Sequence, residues 1–329
     1  MTARYANVGE VPLALAVFLA TDNYDYNEDP NTISATTLLK PIRQIILPNR
    51  IEPGQALPNL ADMMSSRMGA AIHDAIERAW LKNHAKALQA LGIPPHVIKH
   101  IKVNPDKADL KEDDIPVYLE QRHQKQVGKW TVTGKYDFVM DGQVQDFKTT
   151  SVFTYKNQVN GAKWAMQGSL YRWLKPEQIT QDSLAIHYIF TDWKSAMAKA
   201  DPNYPSKRFL TQTFDLSSIT STDQFVKRKL SEIDTYANAD EQDIPYCGDE
   251  DLWRSEPIFK YYKNGDITAK RSTKNFPTRQ EAMIHMSTNG NIGAIKEVPG
   301  QVIACKYCPA FAACSQKDQL IANGDLLME

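Results

Sequence analysis

The sequence predicts an α/β chain in which helices lie on both sides of a central mixed sheet, and three observations predict it. Residues 130–140 and 143–149 are strand-like runs joined by Asp141-Gly142, the strongest short-range signal for a two-residue type I′ turn. Residues 60–91 and 161–174 carry apolar side chains at helical spacing, the first stopped by Gly-Ile-Pro at 92–94. Further strand-like runs at 184–190 and 209–214 follow, so helices and strands alternate.

In chain order, residues 1–59 read as an N-terminal extension packed on the core. Its apolar run of ten at 11–20 is too short to span a bilayer, with Glu10 before it and an acidic stretch at 22–29 after it. A helix buried against the core is expected there, with Pro12 in its first turn. Ser34-Ala35-Thr36-Thr37 reads as a helix cap before 38–46. Residues 60–200 form the core, with a strand at 117–127 next to the hairpin. Residues 201–329 add a helix at about 222–237, a basic segment at 260–274, a helix near 278–287 and a cysteine-rich tail. There is no internal repeat and no low-complexity tract.

The turn fixes the register of the hairpin. If Met140 faces Gln143, then Val139 faces Val144, Phe138 faces Gln145 and Asp137 faces Asp146, while Lys148 shares the face of Asp146. Directly opposed side chains stand roughly 4.5 to 5.5 Å apart at Cβ, where like charges are destabilising. Two aspartates so placed either raise a pKa or bind a metal, unless the hairpin is exposed and the pair merely solvated. Tyr136, Phe138 and Phe147 suit a core, so one face is expected to pack and the other to do chemistry. Lys135 falls opposite Lys148 in this register.

Other polar residues fall at regular intervals. Gly69, His73 and Glu77 recur every four residues and share one face of the helix at 60–91. Glu120 lies on the strand at 117–127. Gln167 and Tyr171 stand four apart on the helix at 161–174.

Taken in order, Gly69-x3-His73-x3-Glu77, Glu120, Gly134-x2-Asp137, Asp146-x-Lys148 and Gln167-x3-Tyr171 resemble the RecB-like branch of the PD-(D/E)xK nuclease superfamily, over about a third of the chain. The resemblance implies a restriction-endonuclease-like core and specific roles. Asp137 and Asp146 would hold a divalent metal together with His73 and the Phe147 carbonyl, while Lys148 would orient or activate the attacking water. Glu120 would be a further carboxylate for a second ion or a water, and Gln167 and Tyr171 would position the DNA strand. Oxygen ligands suit Mg²⁺ or Mn²⁺, and an imidazole favours Mn²⁺ somewhat.

The only cysteines are Cys247, Cys305, Cys308 and Cys314, spaced C-x57-C-x2-C-x5-C. Four thiolates can complete a zinc site or an iron-sulfur cluster, and nothing suggests a secreted disulfide framework. The ending C-x2-C-P-x4-C is similar to the cluster-binding tail of RecB-like nucleases, AddB and the CRISPR-associated exonucleases among them, which implies a [4Fe-4S] cluster with zinc as the alternative. In those relatives the distant cysteine precedes the nuclease motifs, whereas Cys247 follows them.

With a net charge of −1 the chain has no global basic field, so a nucleic-acid partner requires local positive charge. Lys260, Lys263, Lys270, Arg271 and Lys274 supply it beside Tyr261 and Tyr262, whose rings could stack on bases; an exposed hairpin around Asn264-Gly265 explains the same residues. No G-x4-G-K-[ST] occurs, so no P-loop is present and cutting is expected to need no ATP. The expectation is a cytoplasmic, metal-dependent DNA exonuclease of recombination, repair or phage DNA metabolism, without a membrane partner. An annealing protein or a helicase is a compatible partner. An endonuclease, or a non-catalytic DNA-binding accessory protein that keeps the fold, are the rival expectations.

Overall fold

The computed structural model describes residues 5–22, 29–52, 57–158 and 160–328. Most of the acidic stretch at 22–29 therefore lies outside the described residues. The chain forms two compact units, Met1–Leu39 with Leu57–Ser231, and Lys40–Ala56 with Glu232–Glu329. The N-terminal 59 residues are thus shared between the units, and 201–231 belongs with the first.

Among the described residues the first unit contains nine strands: β1 (Thr32–Ser34), β2 (Ile101–Val103), β3 (Ile115–Leu119), β4 (Arg122–Val127), β5 (Trp130–Lys135), β6 (Phe138–Met140), β7 (Gln143–Thr150), β8 (Ser183–Phe190) and β9 (Phe209–Asp215). Six of them form a central sheet in the order β2-β3-β6-β7-β8-β9. The β2-β3 and β7-β8 pairs are parallel and the others antiparallel. A mixed sheet with flanking helices is the expected fold class, and it is consistent with the restriction-endonuclease-like core that the resemblance implies.

The β6-β7 hairpin has the expected register, Phe138 to Gln145, Val139 to Val144 and Met140 to Gln143. Both turn residues take positive φ, 50° at Asp141 and 73° at Gly142, as a type I′ turn requires. The strand expected over 130–140 is instead two strands. β5 ends at Lys135 and joins β1 and β4 in a separate three-stranded sheet, and the chain passes through Tyr136 and Asp137 into β6. The strand expected over 117–127 breaks at the matching point, where Glu120 takes φ 50° between β3 and β4. The Glu120 amide donates to the Asp137 carbonyl at 3.2 Å and ties the two crossings together. Lys135 therefore pairs with Arg122 rather than facing Lys148.

Two helices cover the central sheet. The long helix Met64–Ala90 follows a short 3-10 turn, Leu60–Met63. It ends in a Schellman motif, with Gly92 at φ 81° and the amides of Gly92 and Ile93 donating to Gln89 and Leu88. Its Trp80 and Leu88 pack with Val117, Leu119 and Phe138. The helix Gly161–Leu174 fills the β7-to-β8 crossover. It lies so close to the opposite face that a Cβ on Gly168 would stand 3.2 Å from Leu184. The Asp146 face is therefore packed as well, with Val139, Val144, Ile186 and Tyr188 all buried. Both faces of the sheet are therefore covered here, where one was expected to be left for chemistry.

The apolar run at 11–20 is helical over Leu13–Ala20, but Leu19 alone is buried while Leu13, Leu15 and Val17 are exposed. It is not the buried helix expected. Ser34 does cap a helix, accepting from the Thr37 amide, but Pro41 splits the expected segment into Ala35–Leu38 and Ile42–Ile46. No described helix is long and apolar enough to cross a membrane.

In the second unit, β10 (Ile258–Tyr262) is central to a three-stranded antiparallel sheet with β11 (Lys274–Phe276) and β12 (Ala294–Val298). The helix Arg279–Thr288 packs Ala282 and Met286 onto Phe259, Tyr261 and Phe276. Tyr261 and Tyr262 are both buried, so they are not the exposed stacking platforms expected for bases. A second core holds Leu252, Val302, Cys305, Leu320 and Leu326.

Candidate functional site

The two crossings between sheets, the middle of β7 and the first half of the long helix meet at one point. Asp137 leaves the crossing into β6, Asp146 stands opposite it on β7, and the helix brings His73 across both. Ligand atoms of His73, Asp137 and Asp146 all lie within 4.8 Å of one another, a distance that no other set of three such residues meets among the described residues. His73 Nδ1 is 3.2 Å from Asp137 Oδ2, and its Nε2 is 2.7 Å from the Phe147 carbonyl. The ring meets Phe147 edge-on at 6.0 Å.

Burial and mutual repulsion set the charges. Asp146 is 4% exposed, and its Oδ1 has no hydrogen-bond partner among the described residues. Burial, together with the negative charge of Asp137, pushes its pKa up to about 7, although Lys148 pulls the other way. Burial also works against an ionised Asp137, but contact with His73 holds that carboxyl below its ordinary value. Burial would keep the imidazole neutral, yet Asp137, the Phe147 carbonyl and Asp146 raise it to about 9. The pair of aspartates thus carries less than two charges, and a protonated His73 neutralises part of what remains.

Lys148 follows on the same face, Nζ 2.6 Å from Asp146 Oδ2 and 6.0 Å from the Trp164 ring. Glu120 does not join the three-residue set. It forms an ion pair with Lys135, while Glu77 is near enough to act on both. Burial raises its pKa, and Lys135 opposes the shift. Gln167 donates to the Tyr171 hydroxyl at 2.8 Å, and the Tyr171 ring stands 6.4 Å from that of Tyr136, the residue before Asp137. Gly134 makes that approach possible, since a Cβ there would lie 3.2 Å from Tyr171 and 2.6 Å from Leu174. At Gly69 a Cβ would meet nothing within 4 Å, so packing does not demand this glycine.

His187 stacks on Phe147 at 5.5 Å and bonds Gln145 and Thr211 at 3.0 and 2.8 Å, behind the carbonyl that His73 contacts. No local pattern singles it out, because its place depends on the parallel β7-β8 register.

The cysteines converge in the second unit. Gln316, buried, accepts from the Cys247 amide at 2.9 Å and donates to its carbonyl at 2.8 Å, binding Cys247 to the helix that follows Cys314. Burial pushes the Cys247 thiol up to about 12, with the three other thiols adding to the shift, and raises Cys305 to about 11. Arg43 donates to Cys314 Sγ at 3.3 Å, pairs with Glu241 and lies over the Tyr246 ring. Its distance of 271 residues from Cys314 left no local pattern to find. Among the described residues no three thiols come within the 4.8 Å mutual reach of the His73 set.

No protein-family model and no curated protein matches the chain. Among solved structures it is similar to SSO0001, at 14% identity over 65% of this chain and 81% of that one, with a TM-score of 0.39. It is also similar to a phage-related exonuclease from Haemophilus somnus 129PT, at 13% identity over 63% and 93% of the two chains, with a TM-score of 0.28.

Proposed function

We propose that the first unit is a metal-dependent deoxyribonuclease that hydrolyses DNA from its ends without ATP. The observation that carries this is Asp146, a buried carboxylate with an orphaned oxygen facing a second aspartate. Such a group is costly unless a cation neutralises it.

The donor set fits Mg²⁺ or Mn²⁺: two carboxylates, the Phe147 carbonyl and one imidazole. When bound, the ion would lower the pKa of a water and neutralise charge developing on the phosphate. Asp137 and Asp146 would hold it, and His73 would exchange its proton for it. His73 Nε2 and the Phe147 carbonyl stand 2.7 Å apart, so a proton on that nitrogen is the one an ion would displace. Lys148, steadied by Asp146, presents its ammonium to the attacking water and the scissile phosphate. Water adds to phosphorus, the bond to the 3′ oxygen breaks, and that oxygen takes up a proton. Glu120 offers a further carboxylate, and Gln167 and Tyr171 position the strand.

The four cysteines of the second unit are proposed to hold a [4Fe-4S] cluster. Four cysteine thiolates are the ligand set of such a cluster, and the ending from Cys305 to Cys314 is similar to the cluster-binding tail of RecB-like nucleases; tetrahedral zinc is the alternative.

The test of function is digestion of end-labelled linear DNA beside the same sequence as a closed circle, with Mg²⁺ or Mn²⁺. Loss of the linear form alone is expected. Cutting of the circle would show an endonuclease, and no cutting of either would sink the nuclease proposal.

A further inference from the structure

The small sheet of the second unit holds the mirror image of the aspartate problem. Its register sets Lys260 of β10 directly opposite Lys296 of β12, with Asn275 of β11 on the other side. Like charges in that position repel. Lys260 alternates with Phe259 and Tyr261, and Lys296 follows Ile295, all of which pack toward the helix Arg279–Thr288, so both lysines lie on the face away from that helix. Neither is in an ion pair among the described residues, and Lys296 Nζ reaches only the Ile267 carbonyl, at 3.5 Å. The loop that carries Ile267 also exposes Lys263, Lys270 and Arg271. Its one carboxylate, Asp266, is turned onto Thr268 by bonds of 3.0 and 2.6 Å. Residues 258–298 contain seven Lys and Arg against three Asp and Glu, an excess of four in a chain of net charge −1.

We propose that this face binds the phosphodiester backbone of a nucleic-acid strand, with Lys260 and Lys296 sharing a phosphate between them. An anion there converts a repulsive pair into two charge-assisted contacts, and backbone contacts of this kind carry no sequence preference. The identity of the polyanion rests on the nuclease proposal; the need for an anion rests on the register alone.

The experiment is binding of a fluorescein-labelled mixed-sequence oligonucleotide to the full chain in EDTA, over a range of salt concentrations. In the double variant Lys260→Gln, Lys296→Gln the slope of log affinity against log salt is expected to fall by about 1.4 to 1.8, the loss of two phosphate contacts. The variant Lys260→Glu is expected to melt at a higher temperature, because it pairs with Lys296, while binding DNA at least about tenfold more weakly. A purely structural repulsion would move the melting temperature alone. An unchanged slope in the double variant, wild-type affinity in Lys260→Glu, or a wild-type chain that does not bind DNA overturns the proposal. Cleavage in Mg²⁺ is read separately. Lysine-dependent binding without cleavage counts against the nuclease proposal alone, and cleavage with an unchanged slope counts against this surface alone.

Discussion

His73 joins three segments through one ring, with Asp137 on one nitrogen and the Phe147 carbonyl on the other. Its proton and that of Asp146 give the site a pH dependence whose sign follows from the shifts. Both folded values lie above the ordinary ones, about 9 against 6.5 for His73 and about 7 against 3.8 for Asp146. The stabilisation from Asp146 is therefore complete below 3.8 and lost as pH rises to about 7, and that from His73 is complete below 6.5 and lost as pH rises to about 9. The metal-free protein is expected to melt at a lower temperature at pH 9 than at pH 6, as differential scanning fluorimetry would read. A divalent ion must displace the same protons, so Mn²⁺ affinity should climb across this range. Calorimetry in two buffers of different ionisation heat would detect the release, and a pH-independent affinity would contradict it.

At the scale of elements, the site exists because two strands change sheets side by side. Gly134 lets β5 approach the helix Gly161–Leu174, so Gly134→Ala is expected to cost about 1–3 kcal/mol by overpacking against Leu174 and Tyr171, read as a lower melting temperature. Unchanged stability would mean that the helix can withdraw freely. The β6-β7 hairpin and the two covering helices were legible in the sequence because turn chemistry and apolar period are local signals. The breaks at Glu120 and at Tyr136-Asp137 were not. Residues 130–140 read as one continuous strand, and nothing in their composition marks where hydrogen bonding passes from one sheet to another. The opposition of Asp137 and Asp146 was legible for the same reason as the hairpin, since it follows from the register, whereas His73 entered only through the family resemblance. The pairing of Lys135 with Glu120 was hidden by the break. Tyr261 and Tyr262 misled because aromatic residues beside lysines fit a buried strand as well as a stacking surface.

For the whole molecule, the proposal puts a divalent-ion site in the first unit and a four-cysteine cluster in the second. Purified without oxygen, the protein is expected to be brown and to hold about four irons per chain, as a four-cysteine cluster requires. Cys247→Ser should lose iron as fully as Cys305→Ser, because Gln316 ties Cys247 to the other ligands. A colourless chain with stoichiometric zinc would contradict the cluster, and a Cys247→Ser variant with full iron would remove Cys247 from it. The central claim concerns the first unit. The most direct measurement is the single-turnover rate of cleavage of end-labelled DNA in Mn²⁺, wild type beside Asp146→Ala, with circular dichroism confirming that both are folded. The expected result is a fall of about three orders of magnitude or more in the variant. Cleavage by folded Asp146→Ala at the wild-type rate would contradict the claim that Asp137, Asp146 and Lys148 cut DNA.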